Sequence, residues 1–267
     1  MATPSTIMAT KIYASTGQCV FCLESFSPGS LTDEHIIPRA LNGSYILKKG
    51  TCVECAAYCN KRFEQLALNT DLLVPRIMLE LRRRKKTEKK LPLLGLGNEG
   101  SEDFRWVEAQ AVLYPPIITL IMFQSAGLLS GVDRGGNLSN LSIQDYFLPR
   151  GLGALEFSSF TMRQPHRHTE FSLSIAKMAY CFAVGELGVG GFDGGDIRDL
   201  IMGRREDNYN FVGGISQEEQ LSQAHLHGLY LRTRGEFLTT IVHLFASCKM
   251  KPYEVVVGKI PKSIGTT

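Results

Sequence analysis

Two close pairs of cysteines, Cys19-x-x-Cys22 and Cys52-x-x-Cys55, bracket the run Asp33-Glu34-His35-Ile36-Ile37-Pro38, and Asn60 follows shortly after. A Cys-x-x-Cys turn sets two sulfurs on one side of a tight knuckle. Two such knuckles make a tetrahedron around zinc at about 2.3 Å per Zn–S bond. Cys19, Cys22, Cys52 and Cys55 are therefore expected to hold a structural zinc ion. Cys59 stands four residues past Cys55 and is the alternative to Cys52. An imidazole is largely neutral near pH 7 and can accept a proton, so His35 beside carboxylates, held between two clamps, is a candidate general base.

Such residues need rigid supports. β-Branched and apolar residues around His35 favour a strand, which Pro38 ends. After Asn42-Gly43-Ser44 the second knuckle opens onto 56–68, which has helical character and puts Asn60 and Glu64 on one face. Strand alternation separates Asp33 from Glu34, and turns Glu34 away from His35 unless a bulge or the strand's end re-aims it. Glu64 reads as part of a solvated helix face.

Strand, strand and helix with zinc knuckles at the base resemble the HNH endonucleases, also called ββα-metal nucleases. The residues that carry the likeness are Cys19, Cys22, the 33–38 segment, Cys52, Cys55 and Asn60, within about 17–66. The resemblance implies His35 as general base for the attacking water. It implies Glu34 and Asn60 as ligands of a catalytic Mg²⁺ or Mn²⁺, and hydrolysis of nucleic-acid phosphodiesters, with double-stranded DNA the expected substrate. A role in restriction or phage defence follows by analogy alone. The chain departs from the common pattern in Asn42 preceding Gly43, in the lack of a middle asparagine, and in Asn60 lying five residues past Cys55. Those departures keep a second reading in play, a zinc-pinned nucleic-acid-binding module without catalysis.

A nuclease needs cations for phosphate. Arg39 follows Pro38, Lys61 and Arg62 follow Asn60, and Arg82, Arg83 and Arg84 open a cationic run. Contacts from these would bind without sequence preference and weaken steeply with salt. Charge is distributed accordingly. Residues 1–90 hold 14 Lys and Arg against 8 Asp and Glu, whereas 91–267 hold 15 against 18, so a polyanion is expected on the first part.

The 267 residues suit two domains, and 44% hydrophobic composition suffices for a real core. The expected class is α+β: a nuclease domain with a basic helical extension over 1–90, a linker over 91–104 rich in Pro and Gly, and an α+β domain with antiparallel strands over 105–267. In the last part, 171–187 has helical spacing with apolar Ile175, Met178, Ala179 and Phe182. Segments 226–232, 237–245 and 253–260 read as successive strands, the last two joined as a hairpin near Pro252. Residues 105–267 are read as the part that recognises substrate, binds a regulator or forms a homo-oligomer. The pairs His166/His168 and His225/His227 lack a third ligand and are read as ordinary polar residues.

Seven cysteines, an odd number with four in close pairs, fit metal binding in a reducing compartment. No secretory start precedes residue 10, and the apolar run 117–123 is too short to span a bilayer. A cytoplasmic protein without membrane contact is expected.

Overall fold

Alternation and turn chemistry decide the first sheet. A computed structural model describes residues 10–27, 29–81, 91–97, 105–108, 114–136, 141–148, 159–215 and 221–260. Strand β1 (Lys11–Tyr13) is followed by β2 (Leu31–His35) and β3 (Tyr45–Cys52). β3 is central, antiparallel to β2 and parallel to β1. A single 3₁₀ turn, Arg39–Leu41, follows Pro38, and Asn42 leaves it in the left-handed region at φ 60°. Gly43 comes next because a Cβ there would lie 2.0 Å from the carbonyl oxygen of Ile37. The chain thereby folds tightly back from the His35 strand into β3.

The expected helix exists but is not uniform. It runs as α1 (Val53–Cys59), a wider π-turn (Asn60–Glu64) and α2 (Gln65–Asn69). Such wide turns gather at functional sites because they offset side chains from the regular helical face. Cys52 caps it, its sulfur accepting from the Cys55 N–H at 3.4 Å. After α3 (Leu73–Met78), the stretch read as a linker contains β4 (Leu94–Gly97), a buried strand between β5 (Arg105–Val107) and β8 (Ser159–Met162). Its glycines signal a break in the sequence, yet pairing along both edges holds it as a strand.

Between these lie β6 (Ile117–Phe123), α4 (Gly127–Ser130) and β7 (Leu141–Phe147), with β6 and β7 paired antiparallel. Helix α5 (His168–Leu187) follows, buried at every position from Phe171 to Val184. A helix apolar on all sides must be surrounded. The motif helix packs on one side of α5, and the last sheet packs on the other. α6 (Gly195–Ile201) and α7 (Asn208–Phe211) precede that sheet. It is formed by β9 (Val212–Gly214), β10 (Gly228–Arg234), β11 (Phe237–His243) and β12 (Tyr253–Lys259), in the order β10-β11-β12-β9 with every pair antiparallel.

The result is an α+β architecture with one continuous buried cluster. It runs from Cys19 and Phe63 in the first part through α5 to Tyr253 and Val257. Among the described residues no helix is long and apolar enough to cross a membrane.

Candidate metal centre and base

The sulfurs of Cys19, Cys22, Cys52 and Cys55 lie within 4.8 Å of one another. A tetrahedral zinc with Zn–S bonds of about 2.3 Å requires sulfurs about 3.8 Å apart, so the set fits the ion after small inward movement. Cys59 is outside this group. It is buried one turn along the helix, and burial pushes its thiol up to about 12, as expected of an uncharged core thiol. Burial likewise pushes Cys52 up to about 11, so binding a metal there must displace that thiol's proton, whereas Cys19, despite its burial, is held below its ordinary value by backbone N–H groups.

His35 closes β2. A bulge precedes it: β3 sets Lys48, Lys49 and Gly50 opposite Asp33 alone, between the Thr32–Thr51 and Glu34–Leu47 pairs. Lys49 adopts φ 47° there. Asp33 is exposed and accepts from Lys48 Nζ at 2.7 Å and from the Lys49 N–H at 3.1 Å. The Lys48 and Lys49 bonds hold its carboxyl below the usual carboxylate range. The His35 ring is half-buried, and its Nδ1 is buried with no hydrogen-bond partner. Burial first, and then the nearby Arg39 guanidinium, hold the imidazole below its ordinary value. Both effects favour the uncharged ring.

Glu34 points the other way. The bulge does not re-aim it; it is 5% exposed and lies in the interior. There its Oε1 is 2.5 Å from Lys177 Nζ, and the same nitrogen donates to Glu64 Oε1 at 2.7 Å. Burial pushes the Glu34 carboxyl up, and Lys177 pulls it back. Burial opposes the charge on Lys177, but Glu34 and Glu64 together hold the ammonium well above its ordinary value. Glu64 is thus no solvated acid: its side chain is 14% exposed and ion-paired.

Asn60 is exposed, at the start of the π-turn, and its amide oxygen accepts from Gln65 Nε2 at 3.0 Å. The oxygens assigned to a catalytic Mg²⁺ or Mn²⁺ are therefore both engaged, Glu34 by an ammonium and Asn60 by an amide. As arranged, this donor pair does not fit a divalent ion.

Arg39, Lys61 and Arg62 are exposed on the same part of the chain. Arg82, Arg83 and Arg84 lie outside the described residues. Three rings of the histidine pairs are hydrogen-bonded: His166 Nδ1 is 2.8 Å from the buried Asp71, His168 Nδ1 meets the Tyr209 hydroxyl at 2.7 Å, and His227 Nε2 donates to the Leu41 carbonyl at 2.7 Å, whereas the buried His225 Nδ1 has no partner.

Lys177 is the residue that sequence reasoning missed. Its signal was present: it is the lone charge between Glu170 and Glu186 in an otherwise apolar helix, and such a lysine is rarely buried without a partner.

Residues 19–72 match the family model described as HNH endonuclease. No curated protein and no solved structure matches the chain.

Proposed function

We propose that residues 19–72 form the catalytic module of an HNH-type endonuclease of the ββα-metal kind, hydrolysing phosphodiester bonds in nucleic acid, with double-stranded DNA as substrate and His35 as general base. One observation supports this beyond the family match: His35 closes its strand as a partly exposed ring whose charged form is disfavoured by burial and by Arg39. A ring kept in its basic form and reachable from solvent is suited to take a proton from an attacking water.

Around it, Arg39, Lys61 and Arg62 are free to meet phosphate oxygens, and such contacts neutralise backbone charge without reading sequence. A structural Zn²⁺ on Cys19, Cys22, Cys52 and Cys55 fastens the His35 hairpin to the helix. The family resemblance implies Mg²⁺ or Mn²⁺ as the hydrolytic ion, whereas Glu34 and Asn60, the ligands expected for it, are held by Lys177 and Gln65. Residues 105–267 are assigned to substrate recognition, a regulator or self-association, and a defence role in the cytoplasm accords with a DNA-cutting activity.

The second reading is a nucleic-acid-binding module without catalysis, and the engagement of Glu34 by Lys177 favours it. Purified protein incubated with plasmid and Mg²⁺ or Mn²⁺, beside His35→Ala, separates the two. Nicking that falls by two or more orders of magnitude in the variant supports the nuclease. Retarded plasmid without cutting supports the binding module, and undiminished cutting by the variant removes His35 from its role.

A further inference from the structure

A charged side chain from the far half of the chain sits where the motif strand and the motif helix face each other. Lys177, on α5, is 4% exposed, and its two partners come from β2 and from the end of the π-turn. The partners' side chains are 7% and 14% exposed. One nitrogen thus touches two carboxylates in a region largely closed to water. Removing the cation would leave two buried acids without a counter-charge.

We propose that the Lys177 ammonium is the resident cation of the Glu34–Glu64 carboxylate pair, and that a divalent ion joins Glu34 only when this ammonium is absent. The inference concerns the same site as the nuclease reading and takes from it that Glu34 adjoins the base. Its physical content is a competition for oxygen. Mg²⁺ binds carboxylate oxygen at about 2.1 Å and tolerates little distortion of its octahedron. The ammonium meets one oxygen of each carboxylate, at 2.5 Å and 2.7 Å, and keeps its place covalently, at no cost in association entropy. With the lysine removed, the two acids face each other without a counter-charge, and a dication that drew both into their ionised form would compensate them. Cys59 and Cys181, both fully buried, lie close to the lysine and limit the water that can screen the cluster.

Mn²⁺ binding, followed by the loss of the free-ion resonance signal on titrating zinc-loaded full-length protein, tests this without any cleavage assay. Glu34→Gln in the wild-type background is expected to leave Mn²⁺ binding unchanged within twofold. Lys177→Ala is expected to gain one Mn²⁺ site at least tenfold tighter than any in the wild type, and Lys177→Ala/Glu34→Gln to lose it. Wild-type binding weakened tenfold or more by Glu34→Gln would overturn the proposal. So would a folded Lys177→Ala protein with no added site. Should Lys177→Ala fail to fold, the wild type against Glu34→Gln still decides. Plasmid cleavage judges the nuclease reading and Mn²⁺ binding judges this one, so either can fail alone.

Discussion

The chemistry of His35 makes a claim about pH. A base works only while unprotonated, so a ring held below its ordinary value of about 6.5 stays active into mildly acid solution. The rate–pH profile of plasmid nicking is expected to be flat above neutrality, with its acid limb below pH 6.5. Arg39→Gln removes the leading electrostatic contribution to that depression and leaves burial, so the limb should move towards higher pH. An unmoved limb would show that the guanidinium does not act on the ring. At this scale the sequence was informative about identity and poor about direction. Glu34 and His35 are neighbours in the motif, yet strand geometry puts one in the core and leaves the other at the rim. The partner that makes the inward position tolerable lies on α5, 113 residues beyond Glu64, where no local pattern connects them.

Elements show why the motif keeps its shape. The turn after Pro38 closes so tightly that a single methyl group at Gly43 would enter the space of the Ile37 carbonyl. Gly43→Ala is expected to cost about 2–3 kcal/mol of stability, read from the urea midpoint, because backbone rather than a flexible side chain must give way. Zinc removal is a larger change. A strong chelator should unfold the hairpin and motif helix, seen as loss of helical circular dichroism that added Zn²⁺ restores, since structural zinc contributes folding energy outright. Chelation without any change in the spectrum would refute the clamp. Much of this scale was legible: the paired cysteines, the His35 strand, the 171–187 helix and the closing hairpins each carry a local period or spacing. The strand at Leu94–Gly97 was not, because Pro92, Gly95 and Gly97 signal turns while its pairing comes from segments remote in sequence. Nor was the π-turn, which no residue pattern announces.

For the whole molecule, the decisive feature is how often residues beyond 160 reach back to the motif. Tyr180 donates its hydroxyl to the Val20 carbonyl at 2.7 Å beside the first knuckle. His166 and the Arg167 N–H hold Asp71, Lys177 holds Glu34 and Glu64, and His227 holds Leu41 behind the Pro38 turn. The last contact carries its own acid sensitivity. Burial pulls His227 down to about 4, while its Nδ1 accepts from the Phe245 N–H at 3.2 Å. A depressed histidine stabilises the fold fully above the unfolded value of about 6.5 and loses that contribution as pH falls towards the folded value. The difference amounts to about 3 kcal/mol lost between those two pH values. Thermal melts over this range should show the decline, and His227→Gln should flatten it.

The long separation between the two acids and their lysine also has a meaning in time. At roughly 5–20 residues per second, a ribosome needs roughly 6–23 seconds to travel from Glu64 to Lys177. For that interval the emerging hairpin has its thiols and can already capture zinc, while both acids still lack their counter-charge and must stay wet. Closure of the interior is therefore the late event of biosynthesis, fixed by the order in which the chain leaves the tunnel.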